Sequence, residues 1–451
     1  MRPCFLPRQS FIAASVFSVL TLYGSVIPAA GVDVSPLPEP LTLESALQLA
    51  GEPHPDIMLS RAEIEQAEAR HLGVKSEMGI STYIAGRATW VEPARLAPDR
   101  SHNDSSLSYY LRKRLYDFGR SSSKLIAAET DVKANRLMYI DALRRRRIEI
   151  MERFFDVLLS DLEFIRDREA VAVAYYRFQR LQGQRELGQA SALDLSEAEN
   201  EYMEARRRRS ASESRQRLTR ELLAEVLNRP GMPPVTLMEP LLPHVNRDLP
   251  DVEGLIRDAL ARDPAILAMR AKVEAARRRL DAARAEKNPV LSVEMEASLY
   301  EREFGSRDRL RAGLILEIPL FTGGLTEARI AASKAELHRL ESIMLQTERS
   351  VRQMVLEAWE QIRVLRSQIE EDNSLIKYRD LYLDRSRTIY EQGLRAYLGD
   401  AMVRYSEARL RHARTRYALA LAWERLDALT GRTLIEKGQV FSKLEQGASD
   451  D

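Results

Sequence analysis

Four short stretches of this chain alternate between apolar and polar positions, and each pair of them is followed by a run too long for an ordinary globular helix. In the second half, Leu291, Val293, Met295, Ala297 and Leu299 alternate with Ser292, Glu294, Glu296 and Ser298. Beyond a loop near Phe304-Gly305-Ser306, Leu310, Ala312, Leu314, Leu316 and Ile318 alternate with Arg309, Arg311, Gly313 and Glu317. A period of two with one apolar face predicts strands over about 290–300 and 309–319. The first half is noisier. Ile84, Ala88 and Trp90 stand against Tyr83, Ala85, Arg87 and Thr89, and Leu107, Tyr109, Leu111 and Leu115 stand against Ser108, Tyr110, Arg112 and Arg114. These predict strands over about 80–92 and 106–117.

The runs that follow, 120–187 and 325–392, contain no proline. In the second run Leu337, Leu340, Ile343, Met344, Val351, Val355, Ala358 and Trp359 recur at helical spacing, with charges on the other faces. Each run reads as one helix of roughly 100 Å, against the ~10–14 residues usual in globular proteins. A helix of that length needs coiled-coil-like partners. Return helices over 192–228 and 400–430, each extended by the short helix ahead of its hairpin, supply them.

The span from Gly119 to Gly188 equals that from Gly324 to Gly393, and Pro55-Asp-Ile-Met-Leu-Ser-Arg61 matches Pro264-Ala-Ile-Leu-Ala-Met-Arg270. One unit is therefore written twice, over 41–228 and 251–431, with a crossover linker at 229–250 and a frayed tail at 432–451.

Strands of about nine residues are long enough to cross a bilayer at a tilt, and apolar-out with charged-in is the pattern of a barrel around water. Four strands cannot close a barrel, and an open edge is not tolerated in lipid. Several chains must then contribute. The other reading is a half-buried antiparallel sheet on a soluble core.

Residues 1–31 read as an export signal: Arg2 and Arg8, an apolar stretch from Phe11 to Ile27, then Ala29-Ala30-Gly31. The only cysteine, Cys4, falls inside it, so the mature chain has no disulfide or thiol chemistry. With 68 basic and 67 acidic residues the net charge is +1, which does not suggest a nucleic-acid partner. There is no phosphate-binding loop, dinucleotide fingerprint or nucleophile elbow. Six histidines (54, 71, 102, 244, 338 and 412) are scattered without metal-ligand spacing. No catalytic, cofactor or metal residue is expected, and the chain is not expected to be an enzyme.

Some residues carry two readings each. The runs Arg144–Arg147 and Arg206–Arg209 are either solvated helix sections or a cationic belt in a tunnel. Trp90, Tyr109 and Tyr110 are either an interfacial aromatic belt or plain strand formers.

The junctions between hairpin and long helix read Leu115-Tyr-Asp117-Phe118-Gly119 and Ile318-Pro319-Leu-Phe321-Thr-Gly323-Gly324. Both resemble the strand-to-helix turn of the TolC family of outer-membrane efflux proteins. Leu41-Thr-Leu-Glu-Ser-Ala-Leu47 followed by His54-Pro-Asp, Gly188-Gln-Ala-Ser-Ala-Leu-Asp194, and Leu426-Asp-Ala-Leu-Thr-Gly431 resemble that family's start, helix-tip turn and close. The resemblance covers about 41–431. It implies a mainly α fold with membrane β: a homotrimer whose four strands per chain form a 12-stranded barrel in the outer membrane. Its helices continue the barrel as a tunnel across the periplasm, toward a periplasmic adaptor and an inner-membrane transporter, with outer-membrane lipid around the barrel and no nucleic acid.

Under that reading the tips hold the gate or the adaptor contact, with Gly188, Asp194, Gly393, Arg395 and Asp400 as candidates. Aspartate capping of a helix is the simpler role. Ala198 follows Gly188 by ten residues and Ala408 follows Gly393 by fifteen, so the two tips are expected to differ. Near the second tip Asp400 is flanked by Arg395 and Arg404, so the acidic gate frequent in the family does not carry over. The rival class is a soluble periplasmic coiled-coil adaptor or scaffold.

Overall fold

The computed structural model describes residues 37–431 apart from 96, 98, 303–306 and 393–397. The expected signal at 1–31, with Cys4, and the tail at 432–451 lie outside the described residues.

Chain order is simple. Helix α1 (Leu43–Gln48) and a 3-10 turn lead into α2 (Pro55–Glu77), then β1 (Ile80–Arg87), β2 (Ser106–Tyr116), α3 (Arg120–Glu186) and α4 (Ala192–Val226). The second repeat gives α5 (Val252–Arg262), α6 (Pro264–Arg284), β3 (Val290–Tyr300), β4 (Leu310–Glu317), α7 (Leu325–Glu391) and α8 (Leu398–Thr430). Helices α3 and α7 are each 67 residues, about 100 Å.

The strands form one antiparallel sheet in the order β1-β2-β3-β4, so the middle pairing, β2 with β3, joins the two repeats. β1 stops at Arg87, short of the expected 92, and Trp90 makes only an isolated bridge to Asn103. β4 stops at Glu317, just ahead of Pro319, which has no N–H to offer a ladder. Pairing shifts between Arg114 and Tyr116. Tyr116 therefore sits opposite Leu291, and Leu115, expected on the apolar face, is the extra residue of a bulge.

The helices make a single-layer wall. α4 packs on α3, α3 on α8 and α8 on α7. Nearer the sheet, α2 and α6 flank α3, and α6 also packs on α7. α4 and α2 thus lie on one flank of the wall and α7 on the other.

The return helices bury a stripe at a seven-residue spacing: small Ala198, Ala205, Ser212 and Thr219 and then Val226 in α4, and small Ala401, Ala408, Thr415 and Ala422 and then Leu429 in α8. Small side chains let neighbouring axes approach, and a strict seven-residue repeat imposes left-handed coiling. This stripe corrects the comparison of the tips. Ala198 corresponds to Ala401, not Ala408, and α4 starts six residues after α3 ends while α8 starts seven after α7 ends.

The densest packing lies at mid-height. Phe154, Phe155 and Ile150 of α3, Leu223 of α4, Leu255 of α5, and Leu419 and Leu426 of α8 are all fully buried. Phe155 stacks on Tyr417 with centroids 4.5 Å apart. The crossover linker wraps this belt: Trp423 Nε1 donates to the Val245 carbonyl at 3.2 Å and Trp359 Nε1 to that of Pro250 at 3.0 Å.

Candidate functional site

The sheet separates two chemistries. Ile80, Ile84, Leu107, Leu299, Leu314 and Leu316 share one face, and each is at least 49% exposed. An apolar surface of this extent on one face marks contact with lipid or another protein. The opposite face is polar and internally paired. Ser108 bonds Ser298 at 2.7 Å, Tyr110 donates to Glu296 at 3.2 Å, and Arg112 pairs with Glu294. Tyr110 also stacks on Tyr83 at 4.9 Å. Tyr110 therefore belongs to the polar face and not to an outward belt, while Tyr109, opposite Ile84 and Ala297, lies on the apolar one. Trp90 stacks on His102 in the loop beyond β1. That loop is tied to the next by Arg307, which donates to both oxygens of Asp104 at 2.8 and 3.3 Å.

The strand-to-helix turns use different residues for one geometry. Gly119 (φ 88°) and Gly324 (φ 85°) are left-handed N-caps of α3 and α7. The residue before each is left-handed too: Phe118 at φ 52° and Gly323 at φ 64°. Asp117 accepts from the Ser121 N–H at 3.0 Å, and Thr322 accepts from the Thr326 N–H at 3.4 Å. Each satisfies a first-turn donor that glycine caps leave open. Pro319 precedes the second turn, and Leu320 and Phe321 beside it stand almost fully exposed.

At mid-height the wall has breaks, and arginines close them. α8 ends where α6 begins, so one break lies between them. Arg144, from the middle of α3, donates to Asp263 Oδ2 at 2.6 Å, to the Ala428 carbonyl at 2.8 Å and to Asp141 at 2.5 Å. Asp263 in turn caps α6 by accepting from Ala265 and Ile266 N–H at 3.0 and 3.2 Å. One guanidinium thus holds the C-terminal end of one helix and the cap of the next. Two residues on, Arg146 points to the other break, where α4 ends near the start of α2, and donates to the Val226 carbonyl at 2.8 Å. Asn228 Nδ2 donates there to the Pro53 carbonyl at 2.6 Å. His54 caps α2, its Nδ1 accepting from Asp56 N–H at 3.4 Å. Burial, and then the nearby Arg146 charge, lower its pKa and favour the neutral ring that can accept.

Neither a solvated section nor a tunnel belt describes Arg144 and Arg146, which are committed to the wall itself. The other run, Arg206–Arg209, is exposed throughout.

At the first tip, Gly188 (φ 72°) follows α3, with its N–H on the Arg185 carbonyl at 2.9 Å. Ser191 and Asp194 form a capping box: Ser191 Oγ accepts from Asp194 N–H at 3.1 Å, and Asp194 Oδ2 accepts from Ser191 N–H at 3.1 Å and its Oγ–H at 2.7 Å. These bonds hold the Asp194 carboxyl below its usual range. Its local role is thus helix capping, with Ser191 at the N-cap and Asp194 three residues in. Replacing Ser191 with alanine should cost about 1 kcal/mol at this end of α4. Faster amide exchange at 192–195 would show it, and unchanged exchange would refute it.

At the second tip Asp400 is exposed in the first turn of α8, with no hydrogen bond or ion pair among the described residues. Gly393 and Arg395 lie outside those residues. Sequence reasoning passed over Gly399. A Cβ built there would stand 2.6 Å from Val173 Cγ2, so α8 meets α3 at this point only because residue 399 has no side chain. Asp372, fully buried in α7, carries no signal in its own local pattern either; it accepts from Thr415 Oγ1 at 2.6 Å, and Arg411 Nε stands 2.7 Å from its other oxygen as an ion pair. The seven-residue small stripe in which Thr415 sits was the available signal. Among the described residues no group of His, Cys, Asp and Glu could hold a metal, and no helix is long and apolar enough to cross a membrane.

Residues 255–432 match the family model described as outer membrane efflux protein. The protein CyaE of Bordetella pertussis is 27% identical over 301 residues, 63% of this chain and 61% of that protein. The outer membrane efflux protein BepC of Brucella suis is 24% identical over 281 residues, 61% of this chain and 60% of that one. The chain thus spans about three fifths of the length of these relatives. In fold, it matches the CmeC outer membrane channel of Campylobacter jejuni with a TM-score of 0.72 at 14% identity, over 86% of this chain and 85% of that one. It matches the outer membrane protein VceC of Vibrio cholerae at 0.68 and 16%, over 86% and 96%.

Proposed function

We propose that this chain, a member of the TolC family of outer-membrane efflux proteins, is one subunit of a homotrimeric exit duct in the outer membrane of a Gram-negative type envelope. The observation that carries this reading is the sheet. One face is an exposed apolar band, the other a paired polar surface, and among the described residues both edge strands, β1 and β4, lack a second neighbour. In lipid such edges must be paired, so copies join edge to edge until the sheet closes. Three chains of four strands make a 12-stranded barrel, and α3 and α7 carry its wall on through the periplasm.

The duct is passive. In this reading energy comes from an inner-membrane transporter coupled through a periplasmic adaptor at the tips. Gly188, Asp194 and Asp400, and in sequence Gly393 and Arg395, are the candidates for the gate or the adaptor contact. The turn residues Asp117, Phe118, Gly119, Pro319, Phe321, Gly323 and Gly324 set the direction in which wall follows barrel, with Phe118 and Phe321 at the lipid boundary.

The deciding experiment combines fractionation and conductance. The protein should appear as a heat-modifiable trimer in the outer-membrane fraction and give stepwise single-channel currents in planar bilayers. A monomer that stays soluble without detergent and gives no currents would establish the adaptor or scaffold reading instead.

A further inference from the structure

The repeat makes it possible to read the seam between copies from the seam within one. Inside the chain, repeat one meets repeat two where α3 packs on α8. There Arg147 pairs with Glu424 at 3.8 Å, and Arg144 holds the end of α8. On the two outer flanks of the wall the same kinds of helix are left without that neighbour: α7, the counterpart of α3, on one side, and α4, the counterpart of α8, on the other.

Counting along α3 and α7 from the matched caps Gly119 and Gly324, Arg147 falls on Arg352 and Arg144 on Arg349. Counting along α4 and α8 by the buried stripe, in which Thr219 matches Ala422, Glu424 falls on Glu221. Both members of the Arg147–Glu424 pair therefore recur, with the same signs, on opposite outer flanks of one chain, whereas the neighbouring Arg425–Glu152 pair becomes Leu222 and Glu357 and does not. Arg349, Arg352 and Glu221 are all exposed, and none makes an ion pair among the described residues. Elsewhere the flanks do not copy the internal seam. The stacked Phe155 and Tyr417 become Glu360 and Ser214, so the outer flanks are more polar, as surfaces that meet water before assembly should be.

We propose that the seam between subunits is built on the plan of the α3–α8 seam. Arg352 of one copy pairs with Glu221 of the partner subunit, and Arg349 reaches the end of α4 in that subunit. This rests on the homotrimer reading above. The contact is heterologous, so it repeats head to tail and closes a ring. It is also lighter by two acids than its internal model, since Asp141, the other carboxylate that Arg144 holds, becomes Gln346. Where Arg144 finds Asp263 capping α6, the matching cap of α2 is His54.

The test is a charge swap in the full-length protein, read as the temperature at which the detergent-solubilised trimer dissociates. Arg352→Glu and Glu221→Arg should each destabilise the trimer, and the double variant should recover most of the loss. At about twofold per exposed pair, three pairs amount to roughly tenfold in the assembly constant. Single variants that dissociate like the wild type, or a double variant whose losses simply add, would overturn the pairing while leaving the trimer intact as a reading. A wild-type protein that is monomeric in detergent would instead overturn the trimer, and the pairing with it.

A second readout guards against variants that fold poorly. Cysteines placed together at 221 and 352 should be joined between chains by a short bis-maleimide into a ladder ending at the trimer. Absence of that ladder in a chain that still assembles would also overturn the pairing.

Discussion

Replacing Gly399 with alanine is expected to loosen the start of α8 and, in the proposed duct, to raise the open probability several-fold. The added methyl would lie 2.6 Å from Cγ2 and 3.2 Å from Cγ1 of Val173. Val173 is β-branched and held to one rotamer in a helix, so it cannot turn aside. The backbone must move instead, at a cost of about 1–3 kcal/mol for overpacking. The moving part is the first turn of α8, at the tip, where contacts are few. The bonded pair Ser406 and Glu169, at 2.5 Å, lies two turns further in and should limit the displacement to the tip. Planar-bilayer recordings of the wild type, Gly399→Ala and Gly399→Ala/Val173→Ala would check this. The second change removes the obstructing methyls, so it should restore wild-type gating. If Gly399→Ala conducts like the wild type, the close approach has no part in closure.

Replacing Arg144 with alanine is expected to be the most damaging single change in the wall. The guanidinium serves Asp263, Asp141 and the Ala428 carbonyl together. Asp263 is 0% exposed, so removing its partner strands a carboxylate in the interior. Breaking a buried ion pair from one side costs about 3–5 kcal/mol, and the end of α8 loses its hold in the same step. Arg144→Lys keeps the charge but cannot reach three acceptors with one planar group, so it should fall between. Thermal unfolding in detergent, followed by circular dichroism, measures both. A Tm for Arg144→Ala within a degree of the wild type would refute the clamp. The outgoing helix therefore acts as more than a spacer: two arginines on its opposite sides splice the two broken helices beside it.

Much of this architecture could be read from residue order because its signals are local. A strand shows its faces through alternation, and β3 and β4 reproduce that alternation up to Glu317, where β4 ends short of Ile318. A proline-free run with apolar stripes has little to stop it, so the 67-residue helices capped by Gly119 and Gly324 followed from spacing. The seven-residue stripe of small residues was equally present in the sequence. Alanine, serine and threonine contribute little to a hydrophobic pattern, so the stripe does not stand out there and the register of the tips stays hidden.

What the sequence could not decide depends on residues far apart in the chain. Four adjacent arginines look like a solvated turn of helix until Asp263, Ala428 and Val226 arrive from other elements. The bulge at Leu115 exists only because β2 must pair with β3 in one register. Gly399 has meaning only once Val173 stands opposite. Local periodicity fixes which elements form and how long they are, since each residue there is judged against its own neighbours. Which charges are buried, which glycine is indispensable and which flanks stay open are settled by the tertiary structure, because burial and contact belong to pairs that the chain order keeps apart.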